Sequence, residues 1–156
     1  KERGTKMKLY IACDHAAIDM KDEIAAYLTE KGYDVTDLGI HTGEKIDYPV
    51  SAERVCREVL AHEGALGILI CGTGIGMSIA ANKIRGIRAA AVSEVYSAKL
   101  TRMHNNSNVL CFGARVIGIE TAKMLVDAFL EAEFEGGRHA GRVELITALE
   151  NGKSVQ

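Results

Sequence analysis

Apolar positions along this chain switch repeatedly between two spacings. Leu9–Cys13 and Leu66–Cys71 are short, almost unbroken apolar runs, as expected of strands covered on both faces. Asp34–Leu38, Ile87–Val92 and Val109–Phe112 supply three more segments of strand length. Between them the spacing lengthens to the helical period. Helices are predicted over Ile18–Lys31, closed by Gly32, and from the first turn at Pro49 to about His62. Further helices are predicted over Ile75–Lys83, Val95–Met103, Gly118–Ala132 and Gly141–Glu150, and a polar loop over Gly39–Asp47.

Strands that alternate with helices predict an α/β fold: a three-layer, doubly wound, five-stranded parallel sheet with helices on both faces. Right-handed crossovers favour a flavodoxin-like strand order, 2-1-3-4-5. Strand 1 then lies beside strand 3 where the winding reverses, and ligands bind there at the carboxyl ends of the strands. Strand 1 runs into Asp14-His15 and strand 3 into Cys71-Gly72-Thr73-Gly74, so the two most chemical loops are expected to meet.

The length, 156 residues, suits a single domain, read here as Met7–Gln156. Lys1–Lys6 lack periodicity and are read as an expression remnant or a disordered extension. With 19 basic and 21 acidic residues there is no electrostatic case for nucleic acid or membrane binding. The absence of Trp and the low aromatic content argue against base-stacking platforms. No apolar run reaches membrane-spanning length and no signal segment is evident, which together with four cysteines predicts reduced thiols in the cytoplasm. Those cysteines form no CxxC pair and no His spacing resembles a zinc site, so no metal is expected. Cys13, Cys56 and Cys111 read as packing residues.

Cys71 differs from the other three. It ends an apolar strand, and Gly72, Gly74 and Gly76 open the next helix. Glycines there let backbone N–H groups turn toward a ligand, and the helix start adds its positive end. A thiol in that field has a stabilised thiolate and is a candidate base or nucleophile. Arg138 and Arg142, four apart at the start of the last helix, could clamp a phosphate. Arg115 follows strand 5, and His104-Asn105 ends the fourth helix. A dinucleotide fingerprint and a cysteine-phosphatase loop both fail at Met77, and no Gly-Lys-Ser/Thr is present for a Walker loop. A phosphosugar site in which the thiol moves protons remains.

Six segments then become specific together. Cys-Asp-His (13–15), Asp-Tyr-Pro (47–49), Ile-Cys-Gly-Thr-Gly-Ile-Gly-Met-Ser-Ile-Ala-Ala-Asn-Lys (70–83), His-Asn (104–105), Asn-Val-Leu-Cys-Phe-Gly-Ala-Arg-Val (108–116) and Glu-Gly-Gly-Arg-His (135–139) closely resemble type B ribose-5-phosphate isomerases. The resemblance implies a metal-free, cofactor-free aldose–ketose isomerase of the pentose phosphate pathway. It also implies a homodimer or dimer of dimers whose sites are shared between subunits.

By that resemblance Cys71 carries the proton between C2 and C1, Thr73 hydrogen-bonds near the thiol, and His104 protonates the leaving ring oxygen. Asp14 and Asn105 take substrate hydroxyls, and Tyr48 is a further substrate-binding residue. The amides from Gly72 through Thr73, Gly74 and Ile75 to Gly76 hold the enediolate, and His15, Arg115, Arg138 and Arg142 hold the phosphate. One branch of the family uses a glutamate just past the glycine turn. Ile75–Ile79 contain no carboxylate, which matches the cysteine branch. His104 poses a problem, because it precedes strand 5 and so belongs at the opposite end of the sheet from Cys71. Either the fourth helix lies across the sheet edge or His104 comes from a neighbouring subunit. The alternatives to ribose 5-phosphate are allose or galactose 6-phosphate as substrate, or a sugar-phosphate sensor without catalysis.

Overall fold

The structure, a computed structural model, describes residues 6–156; apart from Lys6, the segment Lys1–Lys6 lies outside the described residues. Its elements are β1 (Lys8–Cys13), α1 (Ile18–Glu30), β2 (Asp34–Asp37), α2 (Tyr48–Ala61), β3 (Leu66–Cys71) and α3 (Ile75–Ala81). They continue with β4 (Ala89–Ala91), α4 (Val95–Asn105), β5 (Val109–Gly113), α5 (Ile119–Glu131) and α6 (Arg138–Glu150). All strand pairs are parallel. The α/β, doubly wound architecture is as expected, but the order is β2-β1-β3-β5-β4 rather than 2-1-3-4-5.

The exchange of the last two strands follows from their burial. β5 is Val-Leu-Cys-Phe-Gly and wholly buried, so it needs a neighbour on each side. β4 is three alanines, half-exposed, with too little apolar surface to fill a central position. β4 is also shorter than its apolar run, because Ile87 N–H turns back to Ile84 O and Arg88 N–H is taken by the Asn108 side chain. The exposed edge of β4 is occupied by one side chain. Asn82 Oδ1 accepts from Ala89 N–H at 2.8 Å and its Nδ2 donates to Ala89 O at 2.9 Å.

Alternation along the strands divides the core in two. Leu9, Ile11, Ile68, Ile70, Leu110 and Phe112 face α1 and α5, where Ile24, Leu28, Leu125 and Phe129 close the layer. Ala12, Leu69, Val109 and Cys111 face α2 and α3, against Val55, Cys56 and Met77. α4 packs on the α5 side. Right-handed crossovers produce this sorting, since the chain reverses direction across the sheet after β2 and again after β4. The helices following β1 and β4 therefore lie on one face, where α5 joins them, and the helices following β2 and β3 lie on the other.

α6 starts at Arg138, three residues before the predicted Gly141, because Gly136 and Gly137 both adopt positive φ and turn the chain immediately ahead of it. It leaves its apolar residues uncovered: His139 is its only buried side chain, while Leu145, Ile146 and Leu149 are about half exposed. Among the described residues no helix is long and apolar enough to cross a membrane.

Candidate active site

β3 delivers Cys71 to the middle of the carboxyl edge, in register with Gly113 of β5 and one residue past the pairing of Cys13 with Ile70. The chain then turns at Gly74, φ 82°, where a Cβ would come within 2.7 Å of the Phe112 backbone; only glycine fits this left-handed, close-packed position. The turn aims the Gly74 amide at the thiol, and its N–H donates to Cys71 Sγ at 3.1 Å. This donor is the backbone rather than Thr73, whose exposed hydroxyl accepts from Ile75 N–H at 3.2 Å. Gly76 brings in Tyr48, whose ring would lie 2.8 Å from any Cβ added there.

The neighbouring strands complete this edge. Asp14 N–H donates to Ile70 O, and its Oδ1 accepts from Ala16 N–H at 2.9 Å, so the carboxylate is fixed beside the end of β3. His15 is exposed, with Nδ1 3.3 Å from Ile46 O. The loop carrying Ile46 is held by Lys21, a fully buried ammonium 2.6 Å from Asp22 Oδ1 and 2.7 Å from Asp37 Oδ2. Asp37 in turn accepts from Gly39 N–H, and Gly39 O accepts from Cys13 N–H. Ser51 donates to Cys13 O at 2.8 Å, tying α2 to the same strand end. From β5, Arg115 N–H donates to Gly72 O at 3.0 Å, and its side chain extends over Gly72. Cys71, Gly72, Thr73, Gly74, Ile75, Gly76, Asp14, His15, Tyr48 and Arg115 therefore share one edge.

His104, Asn105, Arg138 and Arg142 do not join them within one chain. α4 does not lie across the sheet edge; it packs beside α5, and its end is bound to the starts of β4 and β5. Arg88 donates to Asn105 O and Asn106 O, while Arg102 donates to Asn106 Oδ1 and Ser107 O. Five residues of β5 separate that end from Gly113, roughly 13 Å of strand. His104 stacks there on His139, with ring centroids 4.1 Å apart and planes 9° apart. Glu135 Oε2 lies 3.8 Å from His104 Nε2 and 3.4 Å from His139 Nε2. Burial, then the neighbouring His104 and Arg138, hold His139 below its ordinary pKa.

Among the described residues two groups of side chains gather enough donor atoms to suggest a metal: His104, Glu135 and His139, and Asp22, Asp37 and His41. In the first the imidazoles are stacked nearly parallel, so one ion cannot lie in both ring planes as coordination requires. In the second the Lys21 ammonium already occupies the gap between the two carboxylates. Burial pushes the thiol of Cys13 up to about 11, that of Cys56 to about 12 and that of Cys111 well above the usual thiol value.

Residues 9–146 match the model of the ribose/galactose isomerase family. The chain belongs to that family. It is 55% identical over 143 residues to ribose-5-phosphate isomerase B of Escherichia coli strain K12, covering 92% of this chain and 96% of that one. Among solved structures, ribose-5-phosphate isomerase B of Clostridium thermocellum superposes with a TM-score of 0.91 at 47% identity, covering 95% of this chain and all of that one. A Mycoplasma genitalium ribose-5-phosphate isomerase B with bound ribulose 5-phosphate superposes with a TM-score of 0.87 at 40% identity, covering 93% of this chain and 97% of that one.

Glu135, His139 and Lys21 carry no role in the sequence reading. Glu135 and His139 lie inside the quoted Glu-Gly-Gly-Arg-His segment, so their position was visible, but their partner lies 31 residues from Glu135 and was not. Nothing local marks Lys21 as buried.

Proposed function

We propose that this chain interconverts ribose 5-phosphate and ribulose 5-phosphate, as a unit spanning Met7–Gln156 that acts in the cytoplasm without a metal or cofactor. The observation that carries this reading is the hydrogen bond from the Gly74 amide to Cys71 Sγ at the carboxyl edge of β3. It places a backbone donor on the sulfur, at a turn whose remaining amides and the neighbouring Arg115 suit an anionic substrate.

The chemistry follows in balanced steps. His104 gives a proton to the ring oxygen as the bond from C1 to that oxygen breaks, and the C1 hydroxyl loses its proton to water, leaving an aldehyde. The Cys71 thiolate removes the proton on C2, and the electron pair shifts to form an enediolate with its charge on O1. Amides between Gly72 and Gly76 stabilise that charge, a role worth about 3 kcal/mol per donor. Cys71 returns the proton to C1 while the proton of O2 passes to O1, which gives the ketose. Thr73, Asp14, Tyr48 and Asn105 orient hydroxyls, and His15, Arg115, Arg138 and Arg142 hold the phosphate.

His104 and the two helix arginines act here from a second copy of the chain, in a homodimer or dimer of dimers. Their distance from Cys71 within one chain supports this, as do the uncovered Leu145, Ile146 and Leu149 of α6. A twofold contact makes two such sites reciprocally.

A coupled assay of ribose 5-phosphate against allose 6-phosphate tests the substrate. The pentose is expected to give the higher kcat/KM. A higher value for the hexose assigns the site to six-carbon phosphates, and turnover of neither overturns the ribose 5-phosphate assignment.

A further inference from the structure

We infer that Glu135 is a positioning residue that holds the His104 imidazole in the tautomer needed for ring opening. The inference rests on the reading of His104 as the ring-opening acid and names the group that prepares it. Glu135 lies in the connection between α5 and α6, and its N–H donates to Met103 O at 3.0 Å, which ties it to the last turn of α4 one residue before His104. Its Oε2 faces the Nε2 atoms of both histidines, at 3.8 and 3.4 Å.

The two imidazoles beneath this carboxylate are not equivalent. His139 is 5% exposed, and its Nε2 has no hydrogen-bond partner among the described residues. A ring so placed resists taking a charge and acts as a flat apolar floor. His104, stacked on that floor, has a third of its side chain in solvent and can exchange protons. Separations near 3.8 Å close to hydrogen-bond length once a ligand orders the site. A carboxylate facing Nε2 keeps a proton on that nitrogen in both charge states of the ring. Nδ1 is then the atom that gains and loses the proton, and the stacking on His139 fixes the direction in which it points. The logic is that of a carboxylate behind a catalytic imidazole: the carboxylate keeps its own charge, and the imidazole alone transfers the proton.

Glu135→Gln in the full-length protein tests this. Turnover of ribose 5-phosphate should fall roughly ten- to a hundredfold with KM within about threefold. The thermal midpoint should not move, and Glu135→Asp should recover part of the rate. Ribulose 5-phosphate is acyclic, because its C5 oxygen carries the phosphate, so enzyme-catalysed exchange of its C1 hydrogen with D2O bypasses ring opening. That exchange should survive in Glu135→Gln, and formate should restore turnover to Glu135→Ala. The inference is overturned if Glu135→Gln keeps more than half of the wild-type kcat, if exchange falls in step with isomerisation, or if formate rescues nothing. A His104→Asn variant separates the two claims. If it isomerises ribose 5-phosphate normally, the acid assignment itself fails; if it is inactive while Glu135→Gln is not, only the role of Glu135 fails.

Discussion

The carboxyl and amino edges of the sheet are built from different materials. At the carboxyl edge the working parts are mainly backbone. Amides of the Gly72–Gly76 turn are locked between β1 and β5, and the one reactive side chain, Cys71, is buried and already accepts an amide hydrogen. At the amino edge the working parts are side chains at helix ends: His104 and Asn105 close α4, while Arg138 and Arg142 open α6. A rigid turn suits a step in which charge develops on an enediolate, because donors already in place need no reorganisation as the charge appears. Long, exposed side chains suit capture of a phosphate and release of a product. Within one chain the two sets face opposite ends of the sheet, so under the proposed function folding preorganises the proton-transfer half and association supplies the other.

The sharpest way to break that division is at Cys71. Replacing it with serine should lower turnover roughly a thousandfold or more, because a hydroxyl has no accessible anion near neutral pH. Cys13→Ser, Cys56→Ser and Cys111→Ser should act on stability instead, each by about 1–3 kcal/mol for burying a hydroxyl among apolar neighbours. The checks are steady-state assays beside thermal melts. Comparable rate losses in all four variants would leave Cys71 without a special place.

A second experiment sharpens the division by recombining the edges. Cys71→Ser and His104→Asn subunits, each inactive alone, should regain about a quarter of wild-type activity after equal mixing, since half the dimers are mixed and each of these carries one intact site. Verified subunit exchange with no return of activity would mean that each chain uses its own His104.

The smallest effect is expected at His139. Its pKa is held below the unfolded value of 6.5, so the unfolded chain binds more protons as pH falls through that value. The stability that His139 contributes is complete above pH 6.5 and is lost toward its lower folded pKa. Melts between pH 7.5 and 5.5 should therefore fall more steeply for the wild type than for His139→Asn, by a few degrees. Parallel curves would show that the buried ring takes no part.

The carboxyl edge was legible in the sequence because its information is local. Gly72, Gly74 and Gly76 follow one strand, and Asp14-His15 follows the strand beside it in any doubly wound order. What escaped was non-local. The apolar run of β5 reports that both its faces are covered but not by which strands, so the exchange of β4 and β5 was hidden, although three consecutive alanines are poor material for a central strand. The cluster of Glu135, His104 and His139 depends on how the connection after α5 crosses the end of α4, and periodicity says nothing about such crossings. The period of α6 shows in the sequence but its start does not, because Gly136-Gly137 turns the chain before the apolar pattern begins.

Asn82 has a consequence for solubility. β4 is flat, short-sided and close to neutral, the kind of strand on which foreign strands can nucleate fibrils. By presenting an acceptor to Ala89 N–H and a donor to Ala89 O, the Asn82 amide imitates the next strand with a single side chain and occupies the hydrogen-bonding positions an intruder would need. The sheet is thereby terminated chemically at Ala89, which shortens the open template that crowded chains could find on this border.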